Sequence, residues 1–167
     1  MKKILRTFST AMATLLLAGC AGEEIKDYIT FHVASTVNFQ TTAARERINM
    51  PSTNFSLVAN VDPFMYNNDL ERVDVAKVNH PVEGTITGFY FKANSRGMKR
   101  LFTATATNLN NFIVAKLNGK PIAIRKVDMV ISDGKIFMVA DTNEGADLQK
   151  IADEINESIE IAHRINE

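Results

Sequence analysis

Three histidines, His32, His80 and His163, are the side chains best suited to proton transfer or metal binding. They fall in three separate stretches, and no G-x-S-x-G motif supplies a nucleophile for them to activate. The sequence reads His32 and His163 as surface or edge residues and His80, just before Pro81, as a turn residue. Asp69, Glu71 and Asp74 form an acidic cluster with no second cluster to complete a carboxylate pair, which reads as a solvated edge. The run DTNEGAD from Asp141 to Asp147 has the look of a calcium loop, but the register fails. Gly145 stands at position five where an oxygen ligand belongs, and Ala152 replaces the glutamate of position twelve. A capped helix start is the better reading of that segment. Phe64, Phe89, Tyr90 and Phe91 have the rings to line a peptide groove; the alternative is packing in the core. No zinc spacing and no glycine-rich phosphate loop is present in the sequence, so neither a metal nor a cofactor is expected.

The lone cysteine, Cys20, cannot form an internal disulfide. Its context is informative. Lys2, Lys3 and Arg6 precede an apolar run from Phe8 to Leu17, and the small residues Ala18 and Gly19 follow. That run is about half of the roughly 20 residues needed to span a bilayer, and the layout is that of an export signal. The tetrad Leu17-Ala18-Gly19-Cys20 resembles the lipobox of bacterial lipoproteins. The resemblance implies acylation of Cys20 and cleavage before it. Residues 1–19 are then a signal peptide, residues 20–26 a lipidated tether, and residues 27–167 one domain. Two or more acyl chains make a stable anchor where one does not. The resemblance places the chain in the bacterial envelope, facing the periplasm. Ala21, where aspartate would favour retention in the inner membrane, favours the outer membrane.

Removing residues 1–19 changes the electrostatics. The full chain has 19 basic and 19 acidic residues; without the three cations of the signal, 16 face 19, a net charge of −3. A domain with that balance has no clustered basic face for nucleic acid. Lys99-Arg100 is the densest basic pair and reads as a solvated helix face.

The elements that must position these residues follow from periodicity. DYITFHV (27–33) reads as a strand, and residues 34–53 read mostly as loop. In residues 54–61, Phe55, Leu57, Ala59 and Val61 alternate onto one face of a strand ended by Asp62-Pro63. The segment from Met65 to Val73 reads as a turn with Asp69 as cap. Residues 73–79 and 84–93 read as strands, the second central because both of its faces carry bulk. Ser95 is the expected cap of a helix whose stripe is Met98, Leu101, Phe102, Thr105 and Leu109; the asparagines of NLNN end it. Asn118-Gly119 between two strand-like runs is a hairpin signal, and Asp133-Gly134 repeats it before KIFMVAD. Leu148, Ile151, Ala152, Ile155, Ile159 and Ala162 make the apolar stripe of a C-terminal helix. No internal repeat appears. The fold class is α+β, a mostly antiparallel sheet of about five to seven strands with two helices packed on one face.

From about Asn54 to Ile155 the order of features resembles the head region of the first periplasmic domain of SecD, a subunit of the bacterial protein-export machinery. The residues that carry the resemblance are Phe102, Thr107, Asn111, Val114, Asn118, Gly119, Lys120, Pro121, Ile131, Gly134 and Ile151-Ala152, in about two-thirds of the mature chain. The glycine usual after the helix is missing from NLNNF, and the six membrane spans of SecD are absent from this sequence. The resemblance therefore implies a related fold on a lipid anchor and not a proton-driven motor. The expected function is a non-enzymatic binding or interaction module for polypeptide or an envelope partner; the residues themselves offer Phe64, Phe89 and Phe91 as its candidate surface. A strand edge that accepts an extended peptide is the expected mode, with Lys120 and Pro121 blunting the edge they occupy. The rivals are an envelope enzyme with scattered site residues and a purely structural lipoprotein.

Overall fold

The computed structural model describes residues 25–36, 44–53, 55–81 and 84–165. Residues 1–19, expected to be a signal peptide, and Cys20 lie outside them. One antiparallel sheet of nine strands carries two helices. The strands are β1 (Ile29–Ser35), β2 (Arg45–Asn49), β3 (Ser56–Asn60), β4 (Met65–Tyr66), β5 (Leu70–His80), β6 (Gly84–Ala93), β7 (Phe112–Leu117), β8 (Lys120–Lys126) and β9 (Lys135–Ala140). The helices are α1 (Ser95–Thr107) and α2 (Leu148–Ile165), and a 3₁₀ turn occupies Asn67–Asp69. The order across the sheet is β2-β3-β1-β7-β8-β9-β6-β5, with the two-residue β4 also paired to β1. The α+β class, the antiparallel sheet and the two helices are as the sequence reads. The sheet is wider than the expected five to seven strands because of β2 and β4. β2 falls in the stretch that the sequence reads as loop. RERIN offers one apolar residue, Ile48, and becomes a strand through its pairing with Leu57 on β3.

The main core lies on the face that both helices cover. Phe31 from β1 meets Phe91 from β6 edge-on at 5.0 Å, and Leu101, Ile136, Met138 and Ile155 close around them. Alternation along β1 and β7 sends Ala34 and Val114 to the opposite face. There they join Ile48, Met50, Leu57 and Ala59 in a second, smaller core under the β2–β3 hairpin. Asp141, directly after β9, ties that hairpin down: its carboxylate accepts from Ser52 N–H at 2.7 Å and from the Thr53 hydroxyl at 3.0 Å. The DTNEGAD segment thus splits its roles. Asp141 is a buried clamp, and Asp147 caps α2 by accepting from the N–H groups of Gln149 and Lys150.

The helix boundaries show where local chemistry won. α1 is capped by Asn94 and not by Ser95, because the Asn94 side chain accepts from both Arg96 and Gly97 N–H. Its buried stripe is Gly97, Leu101, Ala104 and Thr105, rotated away from Phe102 and Leu109, which are exposed. Small residues face inward because α1 lies almost against the chain beneath it. Asn118 and Gly119 both have positive φ, as a type I′ turn requires. Asp133-Gly134 is different: only Gly134 has positive φ, and residues 127–134 form a longer connection between β8 and β9. These two strands pair through only Ala123–Ala140 and Ile124–Val139 before they diverge. The Arg125 guanidinium crosses the gap and donates to the Phe137 carbonyl at 3.2 Å.

Gly97 gives a test of the close approach. In an ordinary helix interior, glycine to alanine gains about 1 kcal/mol. Here a Cβ would stand 2.1 Å from the Asp69 backbone oxygen. Gly97→Ala is therefore expected to lower stability by roughly 1–3 kcal/mol, the usual range for overpacking. A urea midpoint equal to or above that of the wild type would show that α1 does not lie this close.

Candidate functional site

The structure moves several candidate residues from the surface to the interior. His32, expected at a surface or edge, is buried on β1 between β3 and β7. Its Nδ1 is 2.9 Å from the Asn60 carbonyl and its Nε2 3.0 Å from the Thr30 hydroxyl. A carbonyl only accepts, so Nδ1 carries the proton and Nε2 accepts from Thr30. Burial, reinforced by the Lys116 ammonium, lowers the pKa of the ring from its ordinary 6.5; the hydrogen bond to Asn60 and the charge of Glu46 oppose this. Lys116 is itself buried and forms an ion pair with Glu46. His163 is half-buried on α2, with Nε2 lacking a hydrogen-bond partner among the described residues. His80 is the last residue of β5 and not a turn residue. The three histidines thus sit on three different elements, and no group of three or more His, Cys, Asp or Glu among the described residues is placed to hold a metal ion.

The acidic cluster is divided in the same way. Asp69 is fully buried, contrary to the expectation of a solvated edge, because two arginines of α1 compensate its charge. Its carboxylate accepts from Arg96 Nε at 2.6 Å and lies 3.3 Å from Arg100 Nη1. It also accepts from Tyr66 N–H at 3.1 Å. Glu71 pairs with Lys92 and Asp74 with Arg72, both at the surface.

Of the three phenylalanines expected to form an interaction surface, Phe89 and Phe91 are 0% exposed. They point into the main core, since the alternation of β6 directs both to the helix-covered face. Only Phe64 reaches a surface. With Val33 and Ala104 it floors a groove of about 430 Å³ along α1, rimmed by Lys99, Arg100 and Thr103. A second cavity of about 330 Å³ is lined by Ile25, Tyr28, Tyr66, Asn67, Asn68 and Ala162. Among the described residues no helix is long and apolar enough to cross a membrane.

The feature with the plainest binding chemistry is a strand edge. The sheet ends at β2 and β5. Lys120 and Pro121 are on neither end strand; they begin β8, on a stretch of its rim that the two β8–β9 pairs do not reach. β2 is short and carries Arg45 and Arg47. β5 is the longest strand, and its outer rim is covered at one point: Asn156 of α2 accepts from Val73 N–H and donates to Val73 C=O, both at 2.8 Å. Period-two alternation gives Val75, Lys77 and Asn79 the same outward-facing N–H and C=O groups. No described strand pairs with them. Sequence periodicity locates β5, but the side-chain amide that caps it at Val73 has no signal in the sequence.

No family model matches the chain, and no curated protein matches it in sequence. Among solved structures, the chain is similar to SecDF, described as a membrane component that enhances protein export, with a TM-score of 0.51 and 11% identity. That match covers 80% of this chain and 62% of the SecDF chain. A structure of SecDF in a super-membrane-facing form gives a TM-score of 0.49 and 12% identity, over 80% of this chain and 18% of that one. The chain thus spans under two-thirds of the length of the structures it matches. The likeness is one of fold, and it agrees with the SecD-like fold expected from the order of sequence features.

The His32 site yields a pH dependence. In the folded state the ring stays neutral below its ordinary pKa, whereas in the unfolded chain it takes up a proton near 6.5. Stability from this site is complete above 6.5 and is lost as pH falls through 6.5 towards the lowered folded value. For one group the slope is at most about 1.4 kcal/mol per pH unit. Urea midpoints at about pH 7.5 and 5.5, on either side of that value, are expected to fall more steeply with acid in the wild type than in His32→Asn. Equal slopes would overturn the assignment.

Proposed function

We propose that this chain is a lipid-anchored module of the bacterial cell envelope that binds extended polypeptide as a strand added alongside β5. The observation that carries the binding reading is the outward row of backbone donors and acceptors from Val75 to Asn79, with which no described strand pairs beyond the Asn156 cover. Strand addition draws its affinity from main-chain hydrogen bonds and asks little of the partner's sequence. That suits a partner met as unfolded chain. Natural sheets normally blunt such edges with charge, bulges or covering elements. Here Asn156 of α2 caps the edge at Val73, and Val78, further along β5, is exposed. The fold likeness to SecDF, a component that enhances protein export, supports polypeptide as the partner class. The lipid anchor rests on Leu17-Ala18-Gly19-Cys20 and the basic residues before it, and the outer membrane is favoured by Ala21.

Two measurements test this. A photo-crosslinking residue at Val78, used in living cells, is expected to capture polypeptides. Lys77→Pro is expected to reduce that capture by roughly five-fold or more, since it removes an outward N–H without removing a β5–β6 bond. Recovery of lipid alone, or capture unchanged by Lys77→Pro, would overturn the binding mode. For the anchor, fatty-acid label is expected on the wild type and not on Cys20→Ser; label retained by the variant would overturn it.

A further inference from the structure

We infer that the face around Tyr28, Tyr66 and Ile165 rests on the membrane surface, so that the domain is docked on the bilayer and does not hang freely from its tether. This inference rests on lipidation of Cys20. Five peptide units separate Cys20 from Ile25, a reach of at most about 18 Å. Whatever path the tether takes, the surface where Ile25 enters the domain stays within that distance of the lipid. That surface is apolar and aromatic. Ile25, Tyr28, Tyr66 and Ala162 line one cavity there, and Ile165 lies one helical turn beyond Ala162 on the same side of α2.

Three large side chains on this face are exposed: Tyr28 at 55%, Tyr66 at 42% and Ile165 at 58%. Tyrosine is the side chain suited to the headgroup region, with an apolar ring and a hydroxyl that stays wet. The ring of Tyr66 lies beneath the Arg100 guanidinium, 6.0 Å from its centroid. Tyr28 is held firmly. Its N–H donates to the Asn118 side chain at 2.8 Å, and its carbonyl accepts from Asn118 N–H at 2.9 Å. Asn118 in turn donates to Asp27. The entry point of the tether is thereby fixed to the β7–β8 hairpin, and a short tether on a fixed entry point presents one face to the bilayer. Charge is not the driver. Arg100 beside Tyr66 is paired with Asp69, and the charges of Lys26 and of Lys120 on the β7–β8 hairpin are matched in number by Glu23 and Glu24. Contact is therefore expected to depend weakly on salt.

The chain contains no tryptophan, so a single introduced indole reports cleanly. The full lipidated protein is reconstituted in phosphatidylethanolamine–phosphatidylglycerol vesicles carrying Tyr28→Trp, Tyr66→Trp or Met129→Trp. Met129, 59% exposed, serves as the remote control. It follows Val127, which bonds to Asn111 at the opposite end of the β1–β7 ladder from Tyr28. Brominated acyl chains are expected to quench the indole emission of the Tyr28→Trp and Tyr66→Trp variants by roughly two-fold or more. The emission of Met129→Trp is expected to stay unchanged, and both results are expected to hold at about 50 and 500 mM salt. Ile165→Trp replaces either reporter should it fail to fold. Acylated protein in which none of the three reporters on this face is quenched would overturn the docking and leave the anchor standing. Absence of fatty-acid label on the wild type would overturn both. A blue shift of Tyr28→Trp emission without quenching, together with a doubled mass, would assign the face to a second copy and overturn the membrane reading.

Discussion

All three residues of the turn Asn67–Asp69 are engaged with other elements. Asn67 accepts from Ile29 N–H and donates to the Asp27 carbonyl, which fixes the start of β1. The Asn68 carbonyl accepts from the side chains of Asn94 and Arg96, which fixes the start of α1. The Asp69 carboxylate is out of water and is satisfied by Tyr66 N–H and by Arg96, with Arg100 beside it. Burying a carboxylate is expensive unless partners meet most of its lone pairs, and breaking such a pair typically costs about 3–5 kcal/mol. This turn therefore sets the distance between helix and sheet, and Gly97 is the residue that fits that distance. Further along, α1 delivers the Thr105 hydroxyl to Ile131 N–H, which orders the connection between β8 and β9. The site features follow from the same arrangement. Phe64 floors its groove because α1 lies where Asp69 holds it, and the cavity beside Tyr28 has Asn67 and Asn68 in its wall.

Parts of this are legible in the sequence and parts are not, and the difference is one of range. The α2 stripe is legible because six apolar residues at helical spacing leave one choice of face. The Asn118-Gly119 turn is legible because two positive φ angles in succession have few solutions. The apolar pattern of α1 points to the wrong inner face. Phe102 and Leu109 outweigh Gly97 and Ala104 in any such pattern, yet the near contact with Asp69 leaves no room for a Cβ at position 97. β2 is invisible because its apolar partner, Leu57, lies across a hairpin. Asp69, Asp141 and His32 look like surface groups one at a time. Each is buried because distant residues satisfy it, and single-sequence periodicity carries no information about such partners. The same holds for Asn156, which decides how much of the β5 edge is open.

The aromatic residues divide by role along the chain. Phe31, Phe89 and Phe91 pack with one another inside the main core and give it a rigid centre. Phe55 stacks edge-on against Phe112 over the second core. The tyrosines at positions 28 and 66 stay outside. Rings without a hydroxyl are thus used mainly for packing, and the two that line the cavity beside Ile25 carry one. A proposed strand-accepting edge on one side and a proposed bilayer-facing surface at the tether entry use different parts of the molecule, so neither requires the other to move.

The narrow pairing between β8 and β9 has a mechanical meaning. Ten residue pairs join β5 to β6, but two join β8 to β9. The sheet is thus two leaves, one bearing β1 and the other bearing β5, and the strand pairing between them is narrow. Side chains of the common core and the Arg125 guanidinium hold the leaves together across that line. Tension applied between β1 and a chain held at β5 would cross this seam, which has the fewest residue pairs on the path from β1 to β5. A pull along that path would therefore load the packing of the shared core, the Arg125 bridge and the bond from Asp141 N–H to the Ile122 carbonyl as well as the two ladder pairs.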